Sequence, residues 1–257
     1  MPRAIADLAA VVRFYSRLPV PKLGRDDDPS AMPDLRRAGV LVPVAGALIA
    51  IPSSLAMLVL AQSHLPQLAV AVAGLAVMAL VTGAFHEDGL GDIADGFGGG
   101  QTKERKLEIM KDSRVGAFAA VAIALALIAR ASLLAGALEA SPLGTALAFL
   151  GASAASRAFP LWIWRLLPPA RSDGLAASIP VAGFGPTTGA SLLAVLITLA
   201  TMPHFGTGSV LLALLAAALA TALVGYLAKR NIGGHTGDVL GGAQQIAEIG
   251  FFAGLLL

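Results

Sequence analysis

The chain has 257 residues, of which 56% are hydrophobic and only 13% charged, with a mean hydropathy of +0.78. A soluble domain carries about 25% charged residues and cannot bury so much apolar surface, so a water-soluble fold is excluded. The net charge of +2 argues against a nucleic-acid partner, and the absence of cysteine excludes disulfides, thiolate metal sites and thiol nucleophiles.

Repeated apolar stretches have the length of about 20 residues that a helix needs to cross a bilayer. They predict one integral membrane domain over 1–257, an all-α polytopic transmembrane helical bundle of about seven spans. The predicted spans are 38–61, 67–85, 115–138, 144–167, 187–203, 209–228 and 239–257. The sequence leaves the oligomeric state open, with a homo-oligomer as one possibility.

The segments between the spans alternate in charge, and lysine and arginine concentrate in cytoplasmic loops. Segment 1–37 holds seven of these residues and segment 86–114 holds five. Connections 62–66, 139–143 and 204–208 hold none. The pattern predicts a cytoplasmic N-terminus, an active site on the cytoplasmic face and Leu257 outside.

Two arginines lie within predicted spans. Arg130 is about 22 Å along its helix from Val115, so we expect its side chain to extend to the outer interface. Arg157 is near the middle of its span, where a buried cation needs a partner or a water-filled cavity. Both a site-facing role and a structural ion pair are open for Arg157.

The most informative polar stretch begins at His86. On a helix, Asp88, Asp92 and Asp95 at i, i+4 and i+7 share one face, with Glu87 about 100° round. Their mutual repulsion favours a hard divalent cation, and Mg²⁺ commonly binds one or two carboxylates together with substrate phosphates. The interleaved glycines are expected to let a ligand approach the backbone, and Gly98–Gly100 to end the helix. The alternative is an acidic interfacial loop without a ligand.

A basic segment follows before the third span. Lys111 and Arg114 flank Asp112, an arrangement suited to gripping phosphate oxygens beside a metal. Plain anchoring of a basic helix end at the membrane surface is the alternative.

A third polar cluster precedes the last span. Asp238 is expected either at the site or simply as the N-cap of that span. Gln244 and Glu248 share a helix face, and Glu248 would lie about 15 Å into the membrane. A site role and a structural role are equally open for this pair.

These motifs closely resemble those of the cobalamin synthase family, the adenosylcobinamide-GDP ribazoletransferases. The matching stretches are 14–21, 86–96, 108–116 and 233–241. The resemblance implies an enzyme of the bacterial inner membrane that uses Mg²⁺. It would transfer the adenosylcobinamide-phosphate group from adenosylcobinamide-GDP to α-ribazole or its 5′-phosphate. The products would be adenosylcobalamin, or its 5′-phosphate, and GMP, with membrane lipid as the surrounding partner.

The resemblance and the motifs together give a set of expected site residues. The expected metal ligands are Glu87, Asp88, Asp92 and Asp112. The expected catalytic residues are His86, Asp95, Lys111 and Arg114, with Asp95 as metal ligand or general base. The expected substrate contacts are Arg17, Ser113, Arg157, Asp238, Gln244 and Glu248.

Two other functions compete with this interpretation. A CDP-alcohol phosphatidyltransferase also uses Mg²⁺ and aspartates on membrane helices, but its pattern places Ala-Arg after the first Asp-Gly, where this chain has Leu90-Gly91. A cation transporter would place its acids near the middle of the bilayer, whereas these cluster at one face.

Overall fold

A computed structural model describes residues 3–24 and 27–257, with the exception of the Leu175 side chain. Met1, Pro2, Arg25 and Asp26 of the predicted N-terminal segment lie outside the described residues. The described helices are α1 (Arg3–Tyr15), α2 (Leu35–Ala38), α3 (Val42–Leu60), α4 (Gln67–Thr82), α5 (Phe85–Gly99), α6 (Lys103–Ile109), α7 (Ala117–Ala140), α8 (Pro142–Ala158), α9 (Pro160–Leu166), α10 (Leu175–Ser178), α11 (Phe184–Leu199), α12 (Met202–Ile232) and α13 (Gly237–Leu256).

The predicted all-α polytopic bundle is confirmed, and every predicted span contains a helix. Five helical stretches of the described chain are long and apolar enough to cross a membrane: Leu35–Leu60, Ala117–Ala140, Pro142–Leu166, Met202–Ile232 and Gly237–Leu256. The bent pair of α4 and α5 makes a sixth if it counts as one span. Helix α11 has only 16 residues, or about 24 Å. Length and composition therefore support five or six crossings, fewer than the predicted seven.

The connections gather at two ends of the bundle. At one end, Lys106 Nζ donates to Asn231 Oδ1 at 2.5 Å, and the Ala170 N–H donates to the His235 carbonyl at 2.8 Å. At the other end, Ser141 Oγ lies 3.2 Å from His204 Nδ1. The charged segments meet at the first end and the uncharged connections at the second. We call the first the polar end.

A sharp break separates α4 from α5. Gly83 (φ 68°) and Ala84 (φ 58°) both have left-handed backbone conformations, and the two helix axes differ by 91°. Gly83 suits this geometry because it has no Cβ, whereas Ala84 adopts it at a steric cost. The predicted span 67–85 therefore ends as a helix at Thr82, and the acidic segment runs in a new direction at the polar end.

Helix α13 packs against α5, α7, α8 and α12, and glycines bring it close to α5. A Cβ on Gly89 would lie 2.9 Å from the Asp238 carbonyl oxygen, and one on Gly242 would lie 2.4 Å from Ile93. A Cβ on Gly91 would lie 3.0 Å from Ile123 Cδ1 of α7. The expectation that glycines of the acidic motif admit a ligand is wrong at Gly89 and Gly91, because neighbouring helices fill that space.

Candidate active site

The acidic stripe is helical as predicted, and two of its carboxylates have no partner in the described chain. Asp88 is exposed and Asp92 half-buried. Neither carboxylate makes a hydrogen bond or an ion pair with another described residue. Asp88, Asp95 and Asp238 lie close enough to Asp92 for their charges to act on it. Because like charges repel at this spacing, the face favours a cation that the chain itself does not fully supply.

Asp95, the third acid of the stripe, holds the start of α7. Its Oδ2 accepts the Gly116 N–H at 2.7 Å, and its Oδ1 accepts the Ala119 N–H at 2.9 Å. The first turn of a helix leaves N–H groups unpaired and is electropositive, so a carboxylate is well placed there. Asp95 thus joins α5 to α7. Its predicted role as metal ligand or general base stays a prediction.

Arg171 is a residue of this region that the sequence analysis missed as a site residue. Its Nη2 donates to Asp238 Oδ2 at 3.4 Å, and its charge also acts on Asp92. Its Nε and Nη1 are buried, and no described residue forms a hydrogen bond with them. The only signal in the sequence was a single arginine in a connection on the charged side. The loop that carries it pairs with His235 through the Ala170 N–H.

Asp238 is not the N-cap of α13. Thr236 caps this helix, since its Oγ1 accepts the Val239 N–H at 3.2 Å. Asp238 lies in the first turn, where its Oδ2 accepts bonds from Arg171 and from Thr236 Oγ1. The threonine hydroxyl takes the capping position because Thr236 is the residue with extended backbone just before the helix. The Asp238 carboxylate is therefore turned towards α5 and Arg171.

A buried polar network lies behind the acidic face. Arg130 donates to Glu248 Oε1 at 2.7 and 3.0 Å, to Glu87 Oε1 at 2.9 Å and to Gln245 Oε1 at 2.8 Å. Gln244 continues the network, since its Nε2 donates to Glu248 Oε2 at 2.9 Å and to Ser156 Oγ at 3.0 Å. Helices α5, α7, α8 and α13 are thereby joined by charged and amide groups inside the bundle.

This network corrects two expectations. Arg130 does not extend to the outer interface, because it is 1% exposed and its guanidinium is paired with two glutamates. Glu87 is not available beside Asp88 as a metal ligand, because it faces the interior and binds Arg130. Both residues had partners far away in the sequence. Gln244 and Glu248, left open between site and structure, are members of this network.

The basic segment lies in an exposed loop before α7. Lys111 pairs with Asp173, and Arg114 Nη2 donates to Asp112 Oδ2 at 2.5 Å. The hydrogen bonds from Arg114 lower the pKa of Asp112 to about 2. Ser113 is exposed. A polar groove of about 430 Å³ runs between this loop and α5, and its lining includes Asp95, Asp112 and Arg114.

The four predicted metal ligands do not come together. Glu87 is bound to Arg130 and Asp112 to Arg114, so Asp88 and Asp92 alone remain of the set. Within residues 3–24 and 27–257, no group of three or more histidine or acidic side chains is placed to hold a metal ion. The physical reason is that Glu87 and Asp112 each form an ion pair with an arginine less than 3 Å away.

His86, Arg157 and Arg17 lie away from the acidic face. His86 is 3% exposed, and its ring stacks on Tyr15 with 5.9 Å between centroids. Arg157, also 3% exposed, donates from Nη1 to the carbonyl and hydroxyl of Ser153. His86 and Arg157 line the same small cavity. The Arg17 side chain crosses over Gly83 at the helix break.

Comparison with known proteins gives one consistent result. Residues 7–256 match the family model described as cobalamin-5-phosphate synthase. Similar proteins include the adenosylcobinamide-GDP ribazoletransferases of Azorhizobium caulinodans, Sinorhizobium sp and Brucella ovis. The first is 43% identical over 99% of this chain and 97% of its own length. The second is 44% identical over 98% and 96%, and the third 38% identical over 98% and 97%. No solved structure is significantly similar.

Proposed function

This chain belongs to the cobalamin-5-phosphate synthase family, and we propose that it joins adenosylcobinamide-GDP to α-ribazole or its 5′-phosphate and releases GMP. A ribose hydroxyl oxygen of the acceptor forms a bond to the phosphorus that carries the cobinamide. The bond from that phosphorus to the bridging oxygen of the pyrophosphate breaks, and the bridging oxygen leaves on GMP. The hydroxyl proton passes to a carboxylate at the polar end.

The observation that supports this proposal is a cluster of carboxylates with one guanidinium group at the polar end. Asp88 and Asp92 of α5 lie near Asp238 of α13, and Arg171 is close to them with two nitrogen atoms that have no partner among the described residues. Phosphoryl transfer asks a protein mainly to position its reactants and to stabilise charge. A set of carboxylates with a guanidinium that keeps unused donors suits a substrate that carries a pyrophosphate bridge.

Asp88 and Asp92 fit a Mg²⁺ ion as ligands. Both are hard oxygen donors, they are one helical turn apart, and neither is used by another described group. Mg²⁺ often takes only one or two carboxylates from a protein and completes its shell with water and substrate phosphates. When bound, the ion would neutralise negative charge that develops on the phosphate oxygens.

The remaining residues act on the reactants through position and charge. Arg171 would donate its free N–H groups to phosphate oxygens, and Asp238 orients Arg171 through their hydrogen bond. Arg114 lines the polar groove with Asp95, and Lys111 lies in the same loop, paired with Asp173; both would attract an anionic substrate. Both are paired with acids and exposed, so screening by solvent limits their contribution.

We place this site on the cytoplasmic side of a bacterial inner membrane. Lysine and arginine are concentrated in the segments that meet at the polar end, and the opposite connections have none. Guanine nucleotides are water-soluble, so a site at the membrane surface admits them without crossing lipid. The surrounding lipid would hold the bundle, with the corrinoid at the interface.

The proposal is tested with purified protein in detergent, following GMP and cobalamin formation from adenosylcobinamide-GDP and α-ribazole with and without Mg²⁺. We expect metal-dependent product from the wild type. The variants Asp88→Asn and Asp92→Asn should each lose at least about 100-fold in kcat/KM while their unfolding midpoints stay within a few degrees of the wild type.

Glu139→Gln is the matched control, because Glu139 is an exposed acid near the C-terminal end of α7, at the opposite end of the bundle from the stripe. It should keep activity within about twofold. Full activity in Asp88→Asn and Asp92→Asn, or metal-independent transfer by the wild type, would refute the metal-site proposal.

A further inference from the structure

A small cavity lies between α1, α5, α8 and α13, on the interior side of α5. Its lining includes Tyr15, His86, Arg157, Gly237 and Gln244. The cavity has a volume of about 40 Å³, enough for about three water-sized groups, and its polar residues stand among apolar and aromatic ones such as Phe85 and Trp164. The acidic face of α5 is elsewhere, since Asp88 is about 200° round the helix from His86.

Two polar side chains in this cavity have buried nitrogen atoms without a hydrogen-bond partner among the described residues. Arg157 is 3% exposed, and its Nε and Nη2 have no hydrogen-bond partner. His86 is also 3% exposed, and its Nε2 has none. A buried charged donor left unsatisfied is costly, so the two nitrogens of Arg157 favour an acceptor that is not part of the described chain. His86 Nε2 can donate to the same acceptor in the tautomer that carries the proton on this nitrogen.

The nearest acids do not supply that acceptor. Glu248 gives one oxygen to Arg130 and the other to Gln244. Glu87 is held by Arg130 through Oε1, and its buried Oε2 makes no hydrogen bond to Arg157 or to any other described residue. The two glutamates are thus organised around Arg130, and the free side of Arg157 points to a negative group that enters from outside.

We propose that this cavity binds one phosphoryl group, with Arg157 and the Nε2–H of His86 as donors. The volume matches the three terminal oxygens of such a group, and the guanidinium fork matches its geometry. Gly237, the first residue of α13, lines the cavity, and a Cβ there would have no atom within 4 Å.

The phosphoryl group comes either from a soluble phosphate compound or from a lipid headgroup. Binding in the cavity does not require the transfer reaction, so the two are tested separately. The probe is inorganic phosphate, added to the purified protein in an uncharged, phosphate-free maltoside detergent. The measurement is the thermal unfolding midpoint against chloride at equal ionic strength, from which the phosphate affinity follows.

We expect phosphate to raise the midpoint of the wild type, and Arg157→Met to weaken phosphate binding by about tenfold to a hundredfold. Arg165→Met is the matched control, because Arg165 is an exposed arginine over Phe184 and outside the cavity. It should respond as the wild type does. Should Arg157→Met fail to fold, Arg157→Lys and His86→Gln are expected to show a smaller loss of affinity.

Two further measurements identify the source of the phosphoryl group and separate binding in the cavity from the transfer reaction. Phosphatidic acid in place of inorganic phosphate tests the lipid source, and a response to it alone would assign the cavity to a headgroup. The Asp88→Asn and Asp92→Asn variants should keep the phosphate response, even though transfer is lost. The proposal is overturned if the wild type responds to neither ligand, or if every Arg157 and His86 variant that folds responds as strongly as the wild type.

Discussion

Two arginines and two glutamates share the interior of the bundle, and their charges balance. Arg130 takes both glutamates, Glu87 and Glu248, while Arg157 is bonded only to Ser153. Charges inside a membrane bundle persist when they are paired or serve a site. The two arginines therefore differ: Arg130 is held by structural ion pairs, whereas Arg157 has unused donors that face a cavity.

Replacing Arg130 should destabilise the protein strongly. Arg130→Met leaves Glu87 and Glu248 buried without a cation, a change that costs about 3–5 kcal/mol. The free energy of unfolding in detergent measures it. Arg165→Met removes one exposed arginine and should cost no more than about 1 kcal/mol. Adding Glu87→Gln and Glu248→Gln to Arg130→Met should restore part of the loss; equal stability of Arg130→Met and Arg165→Met would contradict the structural role.

His235 gives the stability a pH dependence. Burial lowers its pKa from 6.5 to about 4, and its Nδ1 has no partner. Between these two values the unfolded chain binds a proton at this residue and the folded chain does not, so stability falls as pH drops from about 6.5 to about 4. The loss should be about 1–2 kcal/mol, reduced by nearby solvent.

His235→Phe tests this directly, because it keeps a ring beside Trp164 and cannot titrate. Unfolding free energies of both proteins are measured from pH 4 to pH 7. The carboxylates titrate in both proteins, so their effect cancels in the comparison. The difference in unfolding free energy between the two proteins should therefore grow as the pH is lowered. A constant difference would show that His235 charges as easily in the folded protein as in the unfolded one.

At the scale of elements, the break between α4 and α5 sets the direction of the acidic helix. Gly83→Ala should destabilise the protein by at least about 1 kcal/mol, because φ is positive and the new Cβ would lie 2.2 Å from the Arg17 guanidinium. Ala84→Gly is the matched opposite change at φ 58° and should be neutral or stabilising by up to about 1 kcal/mol. Unfolding midpoints in detergent compare them. The same sign of effect for both variants would count against a strained break.

At the scale of the whole molecule, local features were predictable and long-range partners were not. Hydropathy and charge gave the helical bundle and the polar end, because both are properties of consecutive residues. The helical stripe of Asp88 and Asp92 followed from spacing alone. The partners of Arg130 are 43 and 118 residues away, and no local pattern signals them. The break at Ala84 was missed because alanine rarely adopts a left-handed conformation.

The arrangement of the bundle in the membrane gives the last prediction. The chain has no cysteine, so single cysteines can be introduced without a background signal. Ser172→Cys lies in the exposed loop at the polar end, and Ser63→Cys in the connection between α3 and α4. With an impermeant maleimide, intact cells should label Ser63→Cys, whereas Ser172→Cys should be labelled only after permeabilisation. Labelling of both in intact cells would exclude opposite sides for the two ends.

Leu257→Cys then tests whether the number of crossings is odd or even, since Leu257 is 91% exposed and follows α13 directly. Seven crossings put it on the same side as Ser63→Cys, because α4 and α11 must each cross for the connections to alternate. Labelling of Leu257→Cys in intact cells would therefore mean an odd number of crossings, seven if both α4 and α11 cross and five if neither does, and would exclude six. Labelling only after permeabilisation would mean an even number, with α4 or α11 entering the membrane without crossing it.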